Sequence, residues 1–108
     1  MDGMDQRALI ESIPAKLWIG GKAVDAEGGK TFPVNDPATG RPLTEVADAS
    51  PADAMKALDA AAAAQKSWAA TPARERSEIL RAAFEKVTER ADDIALLMTL
   101  EMGKALAE

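Results

Sequence analysis

The sequence predicts an α/β chain in which short amino-terminal β-hairpins are followed by three or four helices. Two observations carry this. Ten of the thirteen Gly and Pro residues lie before Ser50, with short apolar runs between them, which is the pattern of strands and tight turns. After Ser50 the apolar residues recur at spacings of three and four, the period of a helix. The chain therefore divides into an amino-terminal arm (1–16), a hairpin segment (17–50) and a helical segment (51–108), all within one incomplete domain.

The arm places Asp2, Asp5, Arg7 and Glu11 around Leu9, Ile10 and Ile13, which is no signal-peptide core. In the hairpin segment, Leu17-Trp18-Ile19 and Lys22-Ala23-Val24 flank Gly20-Gly21, a two-residue turn suited to positive φ. A second turn at Glu27-Gly28-Gly29 leads into Lys30-Thr31-Phe32-Pro33-Val34. Pro33 cannot donate to a ladder, so this is expected to be an edge strand or an extended arm. Asn35 to Gly40 reads as a turn and Leu43 to Ala47 as the returning strand. Isolated two-stranded ribbons are marginal in water, so both hairpins need something to lie on.

Ser50-Pro51-Ala52-Asp53 is a helix start: a capping hydroxyl, a proline in the first turn and an acid at the third position. Ala54, Ala57, Ala61, Ala64 and Trp68 then form one stripe flanked by Leu58, while Asp53, Lys56, Ala60, Ala63 and Lys66 face away. Such a stripe allows close backbone approach but buries little, about one methyl per Ala against roughly 1.5–3 kcal/mol for a Leu. Thr71-Pro72 repeats the cap-then-proline signal and opens a second helix. Leu80, Phe84, Val87, Ala91 and Ile94 share its face, with Ile79 and Ala83 beside them, and Arg81 and Glu85 form an outer pair. Asp92 starts a new helix or kink, Gly103 is its stop, and Lys104 to Glu108 read as the first turn of another helix. That last element has no cap, so the sequence is expected to continue.

Composition narrows the chemistry. Apolar residues make up 47% of the 108 residues, but 24 of them are Ala, and Leu, Ile, Val and Phe together number 20. That is at the lower edge for a self-sufficient core. The chain has no Cys, His or Tyr, which removes disulfides, thiolate zinc sites, cysteine nucleophiles, a Ser-His-Asp triad and the usual general base at neutral pH. A net charge of −5 with no basic stripe opposes nucleic-acid binding. The longest apolar stretch, around Leu96-Leu97-Met98, is too short to span a bilayer. The expected protein is cytoplasmic, with no nucleic acid or membrane as partner.

Each candidate site has a plainer structural reading. Gly20-Gly21 and Gly28-Gly29 lack the spacing of a dinucleotide fingerprint or P-loop, and hairpin turns account for them. Asp92-Asp93 and the Asp2/Asp5 pair are potential ligands for a hard cation, but no calcium-loop spacing exists and helix capping accounts for Asp92. Ser12, Ser50, Ser67 and Ser77 lack a histidine partner. Lys104 after its glycine turn reads as a solvated helix-start lysine, the alternative being a base or anion clamp. Trp18 and Trp68 fall where the period predicts core, the alternative being a stacking surface for a ring ligand. No catalytic, cofactor-binding or metal residue is assigned.

The order of motifs is more informative than any one of them. Leu17-Trp18-Ile19-Gly20-Gly21-Lys22 is followed by Phe32-Pro33-Val34-Asn35-Asp36-Pro37-Ala38-Thr39-Gly40. Next come Trp68, then Arg74-Glu75-Arg76 with Ile79-Leu80, and finally Leu100-Glu101-Met102-Gly103-Lys104-Ala105-Leu106-Ala107-Glu108. This succession resembles the amino-terminal portion of the aldehyde dehydrogenase superfamily. The Glu101-Met102-Gly103-Lys104 ending is most like the NAD(P)-dependent succinate-semialdehyde branch.

The resemblance implies part of an α/β cofactor-binding domain, with NAD or NADP, a small aldehyde substrate and a homo-oligomer in the full-length enzyme. In such enzymes a thiolate attacks the aldehyde, the nicotinamide takes the hydride, and water activated by a glutamate releases the acid. None of those groups has a counterpart here, so the 108-residue chain alone is expected to be inactive and to bind no cofactor. Some relatives hold a monovalent cation near positions matching Asn35 and Glu101, where Glu101 replaces a more usual Asp and Ala105 a more usual Pro. The implied role is a scaffold wrapping a larger body. The alternative is a small non-catalytic helical adaptor that binds a partner through its alanine face.

Overall fold

A computed structural model describes residues 3–108. The order of elements is α1 (Gly3–Ser12), β1 (Leu17–Ile19), β2 (Lys22–Val24), a short turn of 3₁₀ helix (Glu27–Gly29), β3 (Thr31–Asn35), β4 (Pro42–Ala47), α2 (Pro51–Ala70), α3 (Ala73–Glu89) and α4 (Ala91–Met102). Both expected hairpins form, each as its own two-stranded antiparallel sheet. In the first, Leu17 faces Val24 and Ile19 faces Lys22. The connecting Gly20 and Gly21 have φ of 61° and 77°, a turn that residues with a Cβ make only under strain. In the second, Thr31 faces Ala47 and Pro33 faces Glu45, with a register irregularity between Val34 and Asn35. The Asn35–Gly40 turn is closed by the Asp36 N–H donating to the Arg41 carbonyl at 2.9 Å and by an Asx bond from the Ala38 N–H to Asp36 Oδ1 at 2.8 Å.

Several local expectations are corrected. The stretch read as an arm carries helix α1, whose moderate pattern is stabilised by packing on α4 rather than by propensity. Asp2 lies outside the described residues. Asp53 does not face away from the chain but is buried at 4% exposure, because its carboxylate is taken up in hydrogen bonds. Thr71 does not cap α3: its hydroxyl donates back to the Ser67 carbonyl at 2.9 Å, closing α2, and Pro72 occupies the cap position without a side-chain bond.

The face read as running from Leu80 to Ile94 is divided between two helices, because the backbone breaks at Arg90 (φ −106°, ψ 19°). The new helix does begin there, but Asp92 is a first-turn acid rather than a side-chain cap, positioned to interact with the helix dipole. Residues 104–108 do not form a helical turn of a new element. Gly103 ends α4 in the left-handed region at φ 78°, and only a single bond from the Glu108 N–H to the Ala105 carbonyl follows, short of a helix nucleus.

The buried apolar residues are few: Ala26, Leu96 and Leu100 among those described. The tryptophans expected in the core are exposed, Trp18 at 71% and Trp68 at 39%. Trp18 lies on strand β1 and Trp68 near the end of α2, and neither has an opposing surface among the described residues to bury it. The face of α3 shows the same thing, with Leu80, Phe84 and Val87 all exposed.

Candidate functional site

Two clusters bring together groups that are distant in sequence. The first is polar and is built at the start of α2. Ser50 Oγ accepts from the Asp53 N–H at 3.1 Å, and Asp53 Oδ2 accepts from the Ser50 N–H at 2.9 Å, a reciprocal capping box. The same Oδ2 accepts from the Glu27 N–H at 2.9 Å, and the Ser50 hydroxyl donates to Glu27 Oε2 at 2.7 Å. The two backbone N–H donors, Glu27 first and Ser50 second, hold the Asp53 carboxyl below the ordinary aspartate range. Burial opposes them, and the Lys56 charge adds a smaller pull in the same direction. One carboxylate therefore joins the turn after β2 to the first turn of α2.

The second cluster is apolar. A cavity of about 80 Å³ lies between α1, the β3–β4 hairpin and α4, lined by Ile10, Ile13, Val34, Leu43, Val46 and Leu97, with Glu101 at its edge. The Asn35–Gly40 turn reaches the end of α4, where Pro37 Cγ lies 3.5 Å from the position a Cβ on Gly103 would take. The two segments singled out for Asn35 and Glu101 thus approach each other through Pro37 and Gly103. Among the described residues no group of three or more His, Cys, Asp or Glu side chains is placed to hold a metal ion.

The remaining candidates fall into structural positions. Gly20-Gly21 and Gly28-Gly29 sit in the turns after β1 and β2, all four at positive φ. The Ser12 and Ser67 hydroxyls donate to helix carbonyls, of Leu9 and Ala64. Lys104 is exposed beyond the end of α4. Asp93 lies 3.9 Å from Arg90. No helix among the described residues is long and apolar enough to cross a membrane. Sequence reasoning missed α1 and the long-range tie through Asp53. The Ser50-x-x-Asp53 spacing signalled the cap, but nothing in it signalled Glu27.

Known proteins resemble this arrangement closely. A family model described as "Aldehyde dehydrogenase family" matches residues 23–108. Betaine aldehyde dehydrogenase from Staphylococcus aureus, solved in complex with NAD+, superposes with a TM-score of 0.92 at 26% identity over 96% of this chain and 21% of that one. Succinate-semialdehyde dehydrogenase from Burkholderia pseudomallei superposes at 0.83 with 43% identity, over 86% of this chain and 19% of that one. An aldehyde dehydrogenase from Brucella melitensis biovar abortus 2308 matches with the same values. The chain spans about a fifth of the length of these solved relatives.

Proposed function

The chain belongs to the aldehyde dehydrogenase family, and from that premise we propose that it is the amino-terminal portion of an NAD(P)-dependent enzyme oxidising succinate semialdehyde to the carboxylic acid. The observation that carries the reading is the 43% identity to the Burkholderia pseudomallei succinate-semialdehyde enzyme, against 26% to the Staphylococcus aureus betaine aldehyde enzyme.

The part played by these residues is scaffolding. A chain without Cys cannot supply the thiolate that the family's chemistry calls for, and we assign it no catalytic, cofactor-binding or metal residue. A bound nicotinamide would supply the hydride acceptor, while the glycine pairs here serve as turn residues. Its contribution is the exposed apolar surface of α2, α3 and the first hairpin, which fits the flank of a larger α/β body. The working enzyme is then a cytoplasmic homo-oligomer acting on a small aldehyde.

The adaptor reading has less support, because a self-contained module buries its stripes and this chain leaves Leu80, Phe84 and Val87 exposed.

The test has two arms. The 108-residue chain, given succinate semialdehyde with NAD+ or NADP+, should produce no reduced nicotinamide; turnover would refute the scaffold role. The enzyme subunit that carries this chain should prefer succinate semialdehyde to betaine aldehyde in kcat/KM, and the opposite preference would refute the substrate.

A further inference from the structure

We propose that residues 16–29 form a hinged flap over the amino-terminal half of α2, with Asp53 as its catch. The segment is anchored at both ends to neighbouring residues of one strand end. The Ala47 N–H donates to the Ala15 carbonyl at 2.9 Å, and the Asp48 N–H donates to the Lys30 carbonyl at 2.8 Å. The two hinge points thus meet adjacent residues, the last of β4 and the one after it, the geometry of a closed loop that swings about a single line.

Inside that loop the bonding is self-contained. The β1–β2 ladder pairs Leu17 with Val24, and the Lys16 ammonium meets Asp25 Oδ1 at 2.6 Å at the neck. Residues bonded to one another in this way open together as one unit.

The attachment to α2 is much thinner. Among the described residues the polar ties are the Glu27 N–H to Asp53 Oδ2 and the Ser50 hydroxyl to Glu27 Oε2, beside the buried methyl of Ala26. Under β1 lies a gap of about 140 Å³ lined by Leu17, Trp18, Ile19, Ala54 and Ala57, with Asp53 at its edge. The underside therefore has poor packing to hold it, and the alanines beneath offer little area. Removing the catch frees the flap at its hinges, and its three-residue ladder, marginal once off α2, then opens as a unit. This inference rests on the geometry alone and not on the proposed substrate.

Amide hydrogen exchange on the enzyme subunit that carries this chain tests it. In the wild type, the β1–β2 amides should be protected; absence of protection there overturns the closed flap. Asp53→Ala should accelerate exchange across residues 16–29 together by about tenfold, with the β3–β4 ladder and the interior of α2 unchanged. Acceleration confined to the first turn of α2, or spread evenly over the chain, overturns the proposal. Asp53→Asn retains an acceptor oxygen and should restore part of the protection; no restoration overturns the role of the hydrogen bond. Ser50→Ala should accelerate the same segment less, and an equal or larger effect reassigns the catch to the hydroxyl.

Discussion

At the residue scale, Asp53 has the most to lose from a change of conditions. Its carboxyl is held below the ordinary aspartate value of about 3.9 by two backbone donors. A group whose pKa is lower in the folded state adds stability above its unfolded pKa and loses it as pH falls through the folded value. The chain should therefore lose helical signal on acidification below about pH 4, and Asp53→Asn should flatten that part of the pH profile. Circular dichroism against pH in the two proteins checks this. Ser50→Ala removes the hydroxyl half of the capping box and should cost about 1 kcal/mol, read from the urea midpoint of the enzyme subunit that carries this chain. Gly103→Ala should cost a similar amount, about 1 kcal/mol, because φ there is 78° and not because of crowding. The Pro37 contact at 3.5 Å is ordinary van der Waals distance, so Gly103→Asn, which tolerates the left-handed region better, should lose less.

At the element scale, legibility followed how local each determinant is. The Gly20-Gly21 turn, the Asn35–Gly40 turn and the Ser50 cap are each encoded within four to six residues, and all three form where the sequence placed them. Thr71 shows the limit of that logic. A hydroxyl before a proline signals a helix start, yet the same oxygen satisfies the end of the preceding helix when only two residues separate the helices. Helix α1 was invisible because its support comes from α4, some eighty residues later. Asp53 was given the wrong face because periodicity registers side-chain polarity and not a donor supplied by Glu27. For the site, no catalytic residue was legible; the resemblance singled out Asn35 and Glu101, and the approach of Pro37 to Gly103 depends on tertiary packing that no local motif encodes. The face of α3 gives an element-level prediction. Phe84 is 68% exposed, so Phe84→Ala in the 108-residue chain should change stability by no more than about 0.5 kcal/mol. In an enzyme subunit that covers the face, the same substitution should cost roughly 3–5 kcal/mol. Equal effects in the two settings would show that nothing covers α3.

At the scale of the whole molecule, two dimensions agree. The Cα radius of gyration is 17.0 Å, where a packed domain of this length has about 13 Å. The accessible surface is 8416 Å², where a folded monomer of 11.4 kDa exposes about 5,800 Å². The excess, roughly 2,600 Å² by that scaling, far exceeds the roughly 800 Å² that one partner contributes to a standard interface. A surface of that size is a core laid open, and its composition fits: Leu80, Phe84, Val87, Met55 and Leu58 along the helices, Trp18 and Phe32 on the hairpins. With three apolar residues buried among those described, the hydrophobic contribution is too small to offset the entropy of ordering the backbone. The 108-residue chain by itself should therefore fall short of the 5 kcal/mol or so typical of the least stable native domains. Urea titration should give a shallow loss of helical signal in place of a sigmoid, and dyes that seek apolar surface should bind before any denaturant is added. A steep, two-state transition with a scattering radius near 13 Å would mean that the stripes find one another within the chain, and the surface assigned to a larger body would not exist.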